Sequence, residues 1–419
     1  MTDLSINVNP PMSNFLIKNG VFSESPFTFL DVGVSGGIES HWRHFGDQLL
    51  AFGFDPWIEE CERLSKIENL ANVKYIPNWV GIVDKTHWIH DNTASNNDQE
   101  HPINKSYYDY YGRASYLKAL EYLEPNDKDQ FLHSDANIVN SKTLSQDKIQ
   151  LESFVKDEKI NTVDFIKIDT DGADFEALLG CEDILESHGV LGFCIESQMH
   201  GTFDERSNTF SNMSKYLESK GFFLYDLSIH KYSKAALPDK FSISIPAQTL
   251  SGQVVWGDVL YLRDPLLANY SNVWQLDFTT EKLLKLACIY EIYGMPDCAA
   301  ELIVKYRKQI DKLTDSSVLL DKLTPLLNNE KIGYVKFLEH FKNNPHGFFD
   351  EPHKVPYADM PDKFSLNEKC KILEEQKDVL IREVALKDVL IKEQGISIQR
   401  LQDLHTNILR AQLKNDGKH

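Results

Sequence analysis

The stretch FTFLDVGVSGGIESHWRHFGDQLLAFGFDP, residues 27–56, decides the fold class of this chain. Its first residues form an apolar run typical of a short β-strand, and the glycine-rich segment 31–37 predicts a turn. A helical pattern follows around Trp42 and Phe45, and a second apolar strand then ends at Asp55. A strand, turn, helix and second strand in this order predict one unit of an open α/β sheet.

The turn after the first strand has the features of a nucleoside-binding site. Gly33, Gly36 and Gly37 permit positive φ and leave no Cβ between the main chain and a bound molecule. Backbone N–H groups at the start of the next helix suit a carboxylate or a phosphate. Asp55 lies 24 residues after Asp31. Dinucleotide folds place the acid that binds the ribose hydroxyls roughly 20 residues downstream of this turn.

The sequence of the same turn favours one kind of cofactor over another. Ser35 stands where the motif G-x-G-x-x-G requires its second glycine, so nicotinamide or flavin is the weaker reading. Asp31, at the end of the first strand, suits the ammonium group of S-adenosylmethionine. The alternative is an ordinary strand-to-helix turn with no ligand.

Composition excludes several classes of protein. The chain has 419 residues, 42% of them hydrophobic, and a formal net charge of −19. Two or three structural units are expected at this length. The negative charge argues against nucleic-acid binding, which needs clustered Lys and Arg. Six scattered cysteines predict reduced thiols, and no apolar run is long enough for a membrane span, so we expect a cytoplasmic protein.

Two further apolar runs predict strands that are buried on both faces. Residues 163–169 end at Asp169, with Asp171 just beyond, and residues 190–196 end at Glu196. Ligands in open α/β sheets bind at the carboxyl ends of strands, so these acids lie where chemistry is expected. A helix at 210–220 and strands at 222–227 and 259–262 complete the prediction of a doubly wound sheet.

Several of these motifs together resemble the FkbM-type methyltransferase family. They are D-V-G at 31–33, F-D-P at 54–56, D-F-I-K-I-D followed by G-A-D-F-E at 164–176, and G-D-V-L-Y at 257–261. The resemblance covers residues 25–265. It implies an α/β class I methyltransferase (Rossmann-like) fold, S-adenosylmethionine as cofactor and a hydroxyl acceptor, often a sugar or a polyketide.

The chain departs from the family pattern in the length of its acidic side chains. Asp55, Asp171 and Asp174 stand where family members carry glutamate, which keeps the charge but shortens the reach. The long segment 84–150 also leaves the acceptor open.

Proton transfer from an acceptor hydroxyl requires a base. His200 has the best unperturbed pKa for that role, and Asp171 and Glu196 compete with it. Alternatively, Asp169, Asp171 and Glu196 hold Mg²⁺, although this route is not favoured. The acids would otherwise cap the following helix, and His200 would be a surface loop residue. Lys167 is expected to serve the sheet or an ion pair.

Outside the sheet, the sequence predicts several separate segments. Residues 1–24 form an N-terminal segment, and residues 84–150 an insertion whose tyrosines present ring faces to an acceptor or pack on one another. Residues 277–345 read as a helical hairpin around Gly294-Met295-Pro296, and residues 346–365 as a linker. Residues 366–413 predict an imperfect coiled coil, for self-association or a protein partner, or a single solvated helix.

From these features we expect an S-adenosylmethionine-dependent O-methyltransferase that acts on a sugar or glycan hydroxyl, for example in surface polysaccharide biosynthesis. The alternatives are a scaffold that recruits partners through its coiled coil, and a methyltransferase for a lipid or polyketide alcohol. The sequence does not identify the acceptor or the position methylated.

Overall fold

The computed structural model describes residues 4–82, 143–170, 172–201, 205–232, 248–249, 252–274, 276–327 and 329–348. Most of the predicted insertion, the candidate base Asp171, nearly all of the predicted linker and the predicted coiled coil lie outside these residues. The chain divides into two compact units, Met1–Glu339 and His340–His419. The domain boundaries expected from the sequence stay a prediction.

The first unit is built on one large sheet. The described strands are β1 (Phe27–Val32), β2 (Leu49–Phe54), β3 (Val73–Ile76), β4 (Trp79–Val80), β5 (Lys148–Ile149), β6 (Phe165–Ile168), β7 (Gly192–Gln198), β8 (Phe222–Tyr232), β9 (Gln248–Thr249) and β10 (Gln253–Arg263). Of these, β4 and β5 form a separate two-stranded pair. The large sheet has the order β3-β2-β1-β6-β7-β10-β8-β9. Strands β3, β2, β1, β6 and β7 are parallel, and β10 is antiparallel to β7 and β8. The predicted α/β sheet is therefore confirmed.

Helices connect the strands and extend beyond them. The described α-helices are α1 (Pro11–Lys18), α2 (Ser40–Arg43), α3 (Ile58–Ile67), α4 (Leu151–Asp157), α5 (Asp174–Leu179), α6 (Glu182–Ser187), α7 (Phe210–Ser219), α8 (Tyr270–Trp274), α9 (Thr280–Ile292), α10 (Pro296–Lys305), α11 (Arg307–Ile310), α12 (Ser316–Leu323) and α13 (Tyr334–Asn343).

Two apolar clusters cover opposite faces of the sheet. The first joins Phe29, Phe165 and Leu260 of the sheet to residues of α1, α2, α9, α10 and α12, and we call this side the helical-segment face. The second joins Leu30, Ile166 and other strand residues to α4–α7. Alternate strand residues point to opposite faces, so this division is the one a doubly wound sheet requires.

The helix predicted after the first strand is much shorter than its apolar spacing suggests. Only α2 forms, followed by a short 3-10 turn at Gly46–Gln48, and Leu49 already begins β2 opposite Phe27. Pairing in the sheet therefore overrides the helical pattern at Leu49.

The apolar run at residues 73–83 predicts a third strand despite Pro77, and that prediction is wrong in its second half. It divides at Pro77 into β3, which joins the large sheet, and β4, which pairs with β5. Proline lacks the N–H that a continuing strand needs, so a break there is expected.

Where the sequence predicts a helical hairpin around Gly294-Met295-Pro296, the structure has the helices α9 and α10, and α11–α13 follow in the same predicted region. Ten of the thirteen residues of α9 are buried. A helix buried on all sides is a central element of a core, and α9 is packed on the sheet.

The second unit is described only over residues 340–348. These hold the end of α13 and a 3-10 turn at Pro345–Phe348, and the rings of Phe341 and Phe348 lie 5.3 Å apart. In the described ranges no helix combines the length and apolarity needed to cross a bilayer. Cys61, Cys181, Cys194, Cys288 and Cys298 are free thiols.

Candidate functional site

The predicted turn lies at the carboxyl edge of the sheet, between β1 and α2. Gly33 has a φ of +88°, and a Cβ on it would collide with the carbonyl oxygen of Asp169 at the end of β6. Only glycine therefore lets the ends of β1 and β6 approach this closely. The N–H groups of Gly33 and Val34 both donate to the carbonyl of Phe54, at 2.8 and 3.1 Å, which ties the turn to the end of β2.

Gly36 has the opposite kind of surroundings. Its φ is +91°, and no described atom lies within 4 Å of the position that a Cβ would take. Its N–H donates to Oε1 of Glu60 at 3.1 Å, and Arg63 holds the same carboxylate. Beside Gly37 the space is narrower, because Leu64 and Tyr75 lie 3.0 and 3.4 Å from a Cβ there. An added Cβ would therefore clash at Gly33 and be crowded at Gly37, whereas the space beside Gly36 is open.

Asp31 is a buried acid at the end of β1, with 1% of its surface exposed. Its Oδ1 has no hydrogen-bond partner among the described residues, and the nearest cation, Lys167 Nζ, is 4.0 Å away. Burial raises the pKa of Asp31 to about 7, Lys167 opposes the rise, and Glu39 and Asp169 add to it. A cation that comes close to this buried carboxylate would stabilise its charged form.

Lys167 links the acids on this edge. Its Nζ lies 3.3 Å from Asp169 Oδ2 and 3.6 Å from Glu39 Oε1, in addition to its contact with Asp31. Burial lowers the pKa of Lys167, but the three carboxylates outweigh it and raise the pKa above its ordinary value. The expected ion-pair role of Lys167 is therefore confirmed.

His41 on α2 lies beside this group and is uncharged near neutral pH. Burial, with Lys167 and His44, lowers its pKa to about 4. Its Nε2 is 3.3 Å from Glu39 Oε2 but lacks hydrogen-bond geometry. Lys167 is then the cation that pairs with Asp31, Glu39 and Asp169 at this acidic edge.

Asp55 follows β2, as predicted, and is largely buried. Its Oδ1 accepts a hydrogen bond from the Trp57 N–H at 2.8 Å, while its own N–H donates to the carbonyl of Ile76. Its charge contributes to the raised pKa of Asp31, so the two acids are near each other at the ends of neighbouring strands.

The segment after β6 is organised by Asp174, which has no exposed surface. Its Oδ1 accepts from the N–H and hydroxyl of Thr170, and its Oδ2 from the N–H of Gly172 and the Asn208 amide, at 2.6–3.1 Å. Burial raises the pKa of Asp174 to about 6 against these hydrogen bonds. This carboxylate fixes the residues on both sides of Asp171, which itself lies outside the described residues.

Glu196 and His200 belong to β7 and to the segment that follows it. Glu196 is paired with Asp258 of β10, and Asp169 follows Ile168, which pairs with Ile195. Asp169, Glu196 and Asp258 therefore lie level with one another on three neighbouring strands, and we call them the acidic row. Nε2 of His200 is 3.0 Å from the carbonyl oxygen of Val254.

The acidic row faces the same side of the sheet as Asp31 and Lys167. Strand residues alternate in direction, and Phe165, Cys194 and Leu260 all point to the helical-segment face. Asp169, Glu196 and Asp258 each lie an even number of positions from one of these three residues, so they point to the same face. Trp256 on β10 does so too. Trp256 stacks on His230 with a centroid distance of 3.8 Å and an angle of 11°.

The metal hypothesis gains no support from this arrangement. Within the residues described, no group of three or more His, Cys, Asp and Glu side chains is placed to hold a metal ion. Of the three proposed ligands, Asp169 is instead paired with Lys167 at 3.3 Å, and Asp171 is outside those residues.

Sequence reasoning missed four contributors to this edge: Glu39, His41, Asp174 as the organiser of its loop, and Tyr293. Glu39 and His41 had a signal, since both follow the glycine turn directly. Asp174 had a weak one, as an acid two residues after a glycine at a helix start. Tyr293 had none, because it arrives from about 260 residues away through packing.

Comparison with known proteins supports the methyltransferase interpretation in one respect. Residues 56–224 match the family model described as the methyltransferase FkbM domain. The match begins just after Asp55, so the glycine turn is assigned by its geometry and not by this match. No curated protein matches the chain.

Three solved structures show distant similarity. A provisionally named methyltransferase from Thermoplasma acidophilum has a TM-score of 0.26 and 8% identity, covering 58% of this chain and 70% of its own. The N-terminal domain of EvdMO1 with SAH bound gives 0.26 and 8%, over 62% and 82%. Magnesium protoporphyrin IX methyltransferase (ChlM) from Synechocystis PCC 6803 with bound SAH gives 0.25 and 6%, over 61% and 84%.

Similarities at this level support no conclusion about chemistry. The family match does, because it covers the segment that contains β6, β7, the Asp174 loop and His200. The match over residues 56–224 is therefore consistent with an FkbM-type methyltransferase domain.

Proposed function

We propose that this protein transfers a methyl group from S-adenosylmethionine to a hydroxyl group of a sugar or glycan. The observation that carries the proposal is Asp31, a buried carboxylate whose Oδ1 has no hydrogen-bond partner among the described residues. Burying a carboxylate oxygen without a hydrogen bond is costly, and Lys167 is 4.0 Å away, so a ligand that brings a cation to this point is favoured.

The residues at this edge fit the proposed cofactor. Asp31 would hold its ammonium group, and the open side of Gly36 would admit its amino-acid tail against the main chain. Asp55 would accept hydrogen bonds from the ribose hydroxyls. Asp31, Glu39, Asp55 and Asp169 outnumber Lys167 here, so the edge favours a ligand with net positive charge, and S-adenosylmethionine carries a sulfonium as well as an ammonium.

The cofactor supplies an activated methyl group whose leaving group is already in place. What the chain must add is position and removal of the acceptor proton. If Nε2 of His200 donates its hydrogen to the carbonyl of Val254, Nδ1 is the nitrogen that accepts a proton. We therefore assign His200 as the general base, with Glu196 and Asp171 as the competing assignments.

A sugar acceptor is supported by Trp256 and the acidic row, which lie on the two neighbouring strands β7 and β10 and at the end of β6. Trp256 offers an aromatic ring, and the ring faces of tryptophan suit the C–H faces of a pyranose. Asp258 and Glu196 offer carboxylates that accept hydrogen bonds from hydroxyl groups. Asp258 Oδ2 also lies 3.5 Å from His230 Nε2, under the Trp256 ring.

The test combines binding and turnover on the full chain. Calorimetry with S-adenosylmethionine and S-adenosylhomocysteine should give saturable binding, and labelled donor should methylate members of a panel of neutral sugars and oligosaccharides. His200→Asn should lower kcat by about a hundredfold while leaving the donor Kd within about twofold. Binding without transfer to any acceptor would favour the scaffold, and no binding would remove the proposal.

A further inference from the structure

The end of α9 reaches the same edge of the sheet as the proposed donor site. The helix starts at the opposite edge, where the fully buried Asp164, just before β6, pairs with Lys282 Nζ at 2.6 Å and Lys285 Nζ at 2.8 Å. Asp164 also accepts the N–H of Thr28 at 2.8 Å. Thirteen helical residues span about 20 Å, enough to cross the sheet along its strands.

Tyr293 is the residue at which α9 ends, and it is 4% exposed. Its ring stacks on Phe165 at 5.7 Å and meets the rings of Trp42 at 6.1 Å and His41 at 6.2 Å. Trp42 and His41 belong to α2, so Tyr293 is packed between the sheet and the turn that follows the glycines.

The hydroxyl of Tyr293 lies on the level of Asp31. It interacts with the Cys194 thiol and with the charges of Glu39 and Asp31, and burial together with these groups raises its pKa well above the ordinary value. Cys194 is paired in register with Lys167, which is paired with Asp31. The hydroxyl is therefore in the row that holds the proposed partner of the cofactor's ammonium.

The turn that carries Glu39 and His41 depends on such support. α2 is a single turn of four residues, and helices this short have little stability of their own. In this chain its position is set by Trp42, which stacks on Phe27 and Phe29 from one side and meets Tyr293 on another.

We propose that Tyr293 is a positioning residue of the donor site: it holds α2 against the sheet and keeps water away from Asp31. The C-terminal helices would then be part of the methyltransferase site and not an appendage to it. This rests on the proposed function only in taking the Asp31 edge as the place where the donor binds.

Tyr290 provides a matched control on the same helix. It is 1% exposed, belongs to the same apolar cluster, and its hydroxyl bonds to Tyr225 at 2.9 Å and to the Arg263 carbonyl at 3.0 Å. Its partners lie on β8 and β10, away from α2. Removing either tyrosine ring should cost similar folding stability, so only a role at the donor site separates them.

The experiment compares Tyr293→Leu, Tyr293→Phe and Tyr290→Leu in the full chain, by denaturation and by the Kd for S-adenosylmethionine across pH. We expect both leucine variants to be destabilised, but only Tyr293→Leu to raise the Kd, by about tenfold. Tyr293→Phe, which keeps the ring, should return to within about threefold of wild type. Water admitted by Tyr293→Leu should also lower the pKa of Asp31, moving the acid limb of donor binding to lower pH.

Equal Kd values in Tyr293→Leu and Tyr290→Leu, with an unmoved acid limb, would overturn the positioning role while leaving the proposed function intact. Absence of donor binding by the wild type would overturn both. If Tyr293→Leu does not fold, Trp42→Phe weakens the same contact from α2; a Kd raised about threefold or more supports the role, and an unchanged Kd overturns it.

Discussion

Asp31, the proposed partner of the donor's ammonium group, would couple cofactor binding to pH through its buried carboxylate. Its pKa is raised to about 7, mainly by burial, so the donor-free protein carries a mixture of the neutral and charged forms near neutrality. Only the charged form pairs with an ammonium group. At lower pH, the free energy of donor binding at this site therefore includes the cost of deprotonating Asp31, which weakens the affinity.

We predict that affinity for S-adenosylmethionine rises with pH up to about 7 and falls again above about 8, where an α-amino group loses its proton. Between about pH 5.5 and pH 7.5 the affinity should increase by roughly ten- to thirtyfold, because below the pKa each pH unit changes it by up to tenfold. Calorimetry at several pH values measures this.

Asp31→Asn is the control for that prediction. It should bind the donor weakly and without the acid limb, and an unchanged acid limb in the variant would show that another group titrates. The stability of the variant relative to wild type should also be greater at about pH 8 than at about pH 5. The reason is that the raised folded-state pKa of Asp31 gives the wild type stability that is lost as pH rises through that pKa.

Gly36 tests the approach of the donor to the main chain. We predict that Gly36→Val raises the donor Kd by about a hundredfold or more, because its side chain would occupy the open side of the turn. Gly46→Val is the matched control, since Gly46 also has positive φ and no described atom within 4 Å of an added Cβ. Both variants should lose similar stability, and equal donor affinities would argue against the placement of the donor.

At the scale of elements, hydrophobic pattern predicted the buried parallel strands well. The second predicted strand is β2, which ends at Phe54, and the bounds of β6 and β7 lie within two residues of the predicted ones, because buried parallel strands are continuous apolar runs. The helix after β1 was predicted too long because the spacing of Trp42, Phe45 and Leu49 cannot show that Leu49 pairs with Phe27. The sequence also places Asp31 and Asp169 at strand ends, but not Tyr293 beside them.

The loop after β6 depends on one carboxylate for its shape. We predict that Asp174→Ala destabilises the fold by on the order of 2–4 kcal/mol, because it leaves the N–H groups of Thr170 and Gly172 without their acceptor in a buried place. Methyl transfer should fall as well, since the loop leads to Asp171. Urea denaturation and turnover measure the two effects.

Asp183→Ala is the control for this variant. Asp183 is an exposed acid in the first turn of the next helix, and its loss should change stability by no more than about 0.5 kcal/mol. Similar losses in the two variants would mean that the Asp174 hydrogen bonds contribute little.

At the scale of the whole molecule, the two faces of the sheet serve different purposes. One face packs on α4–α7, and the other packs on α1, α2, α9, α10 and α12. On this second face, the carboxyl edge of the sheet carries Asp31, Lys167 and the acidic row. The acids thus gather on one side of the sheet, at the carboxyl end, in a chain whose net charge is already −19. An acceptor that binds at the proposed site would approach through this field.

We predict that the enzyme prefers neutral to anionic acceptors of the same shape. A neutral glycoside and the matching uronic acid differ mainly in one carboxylate, and kcat/KM for the acid should be lower by about tenfold or more at low salt. The difference should shrink as salt increases, since the Debye length falls from about 30 Å at 0.01 M to about 10 Å at 0.1 M. Asp258→Asn in the acidic row should narrow it, whereas Glu62→Gln on the exposed face of α3 should not. Equal or faster turnover of the uronic acid would show that the acidic row does not face the acceptor.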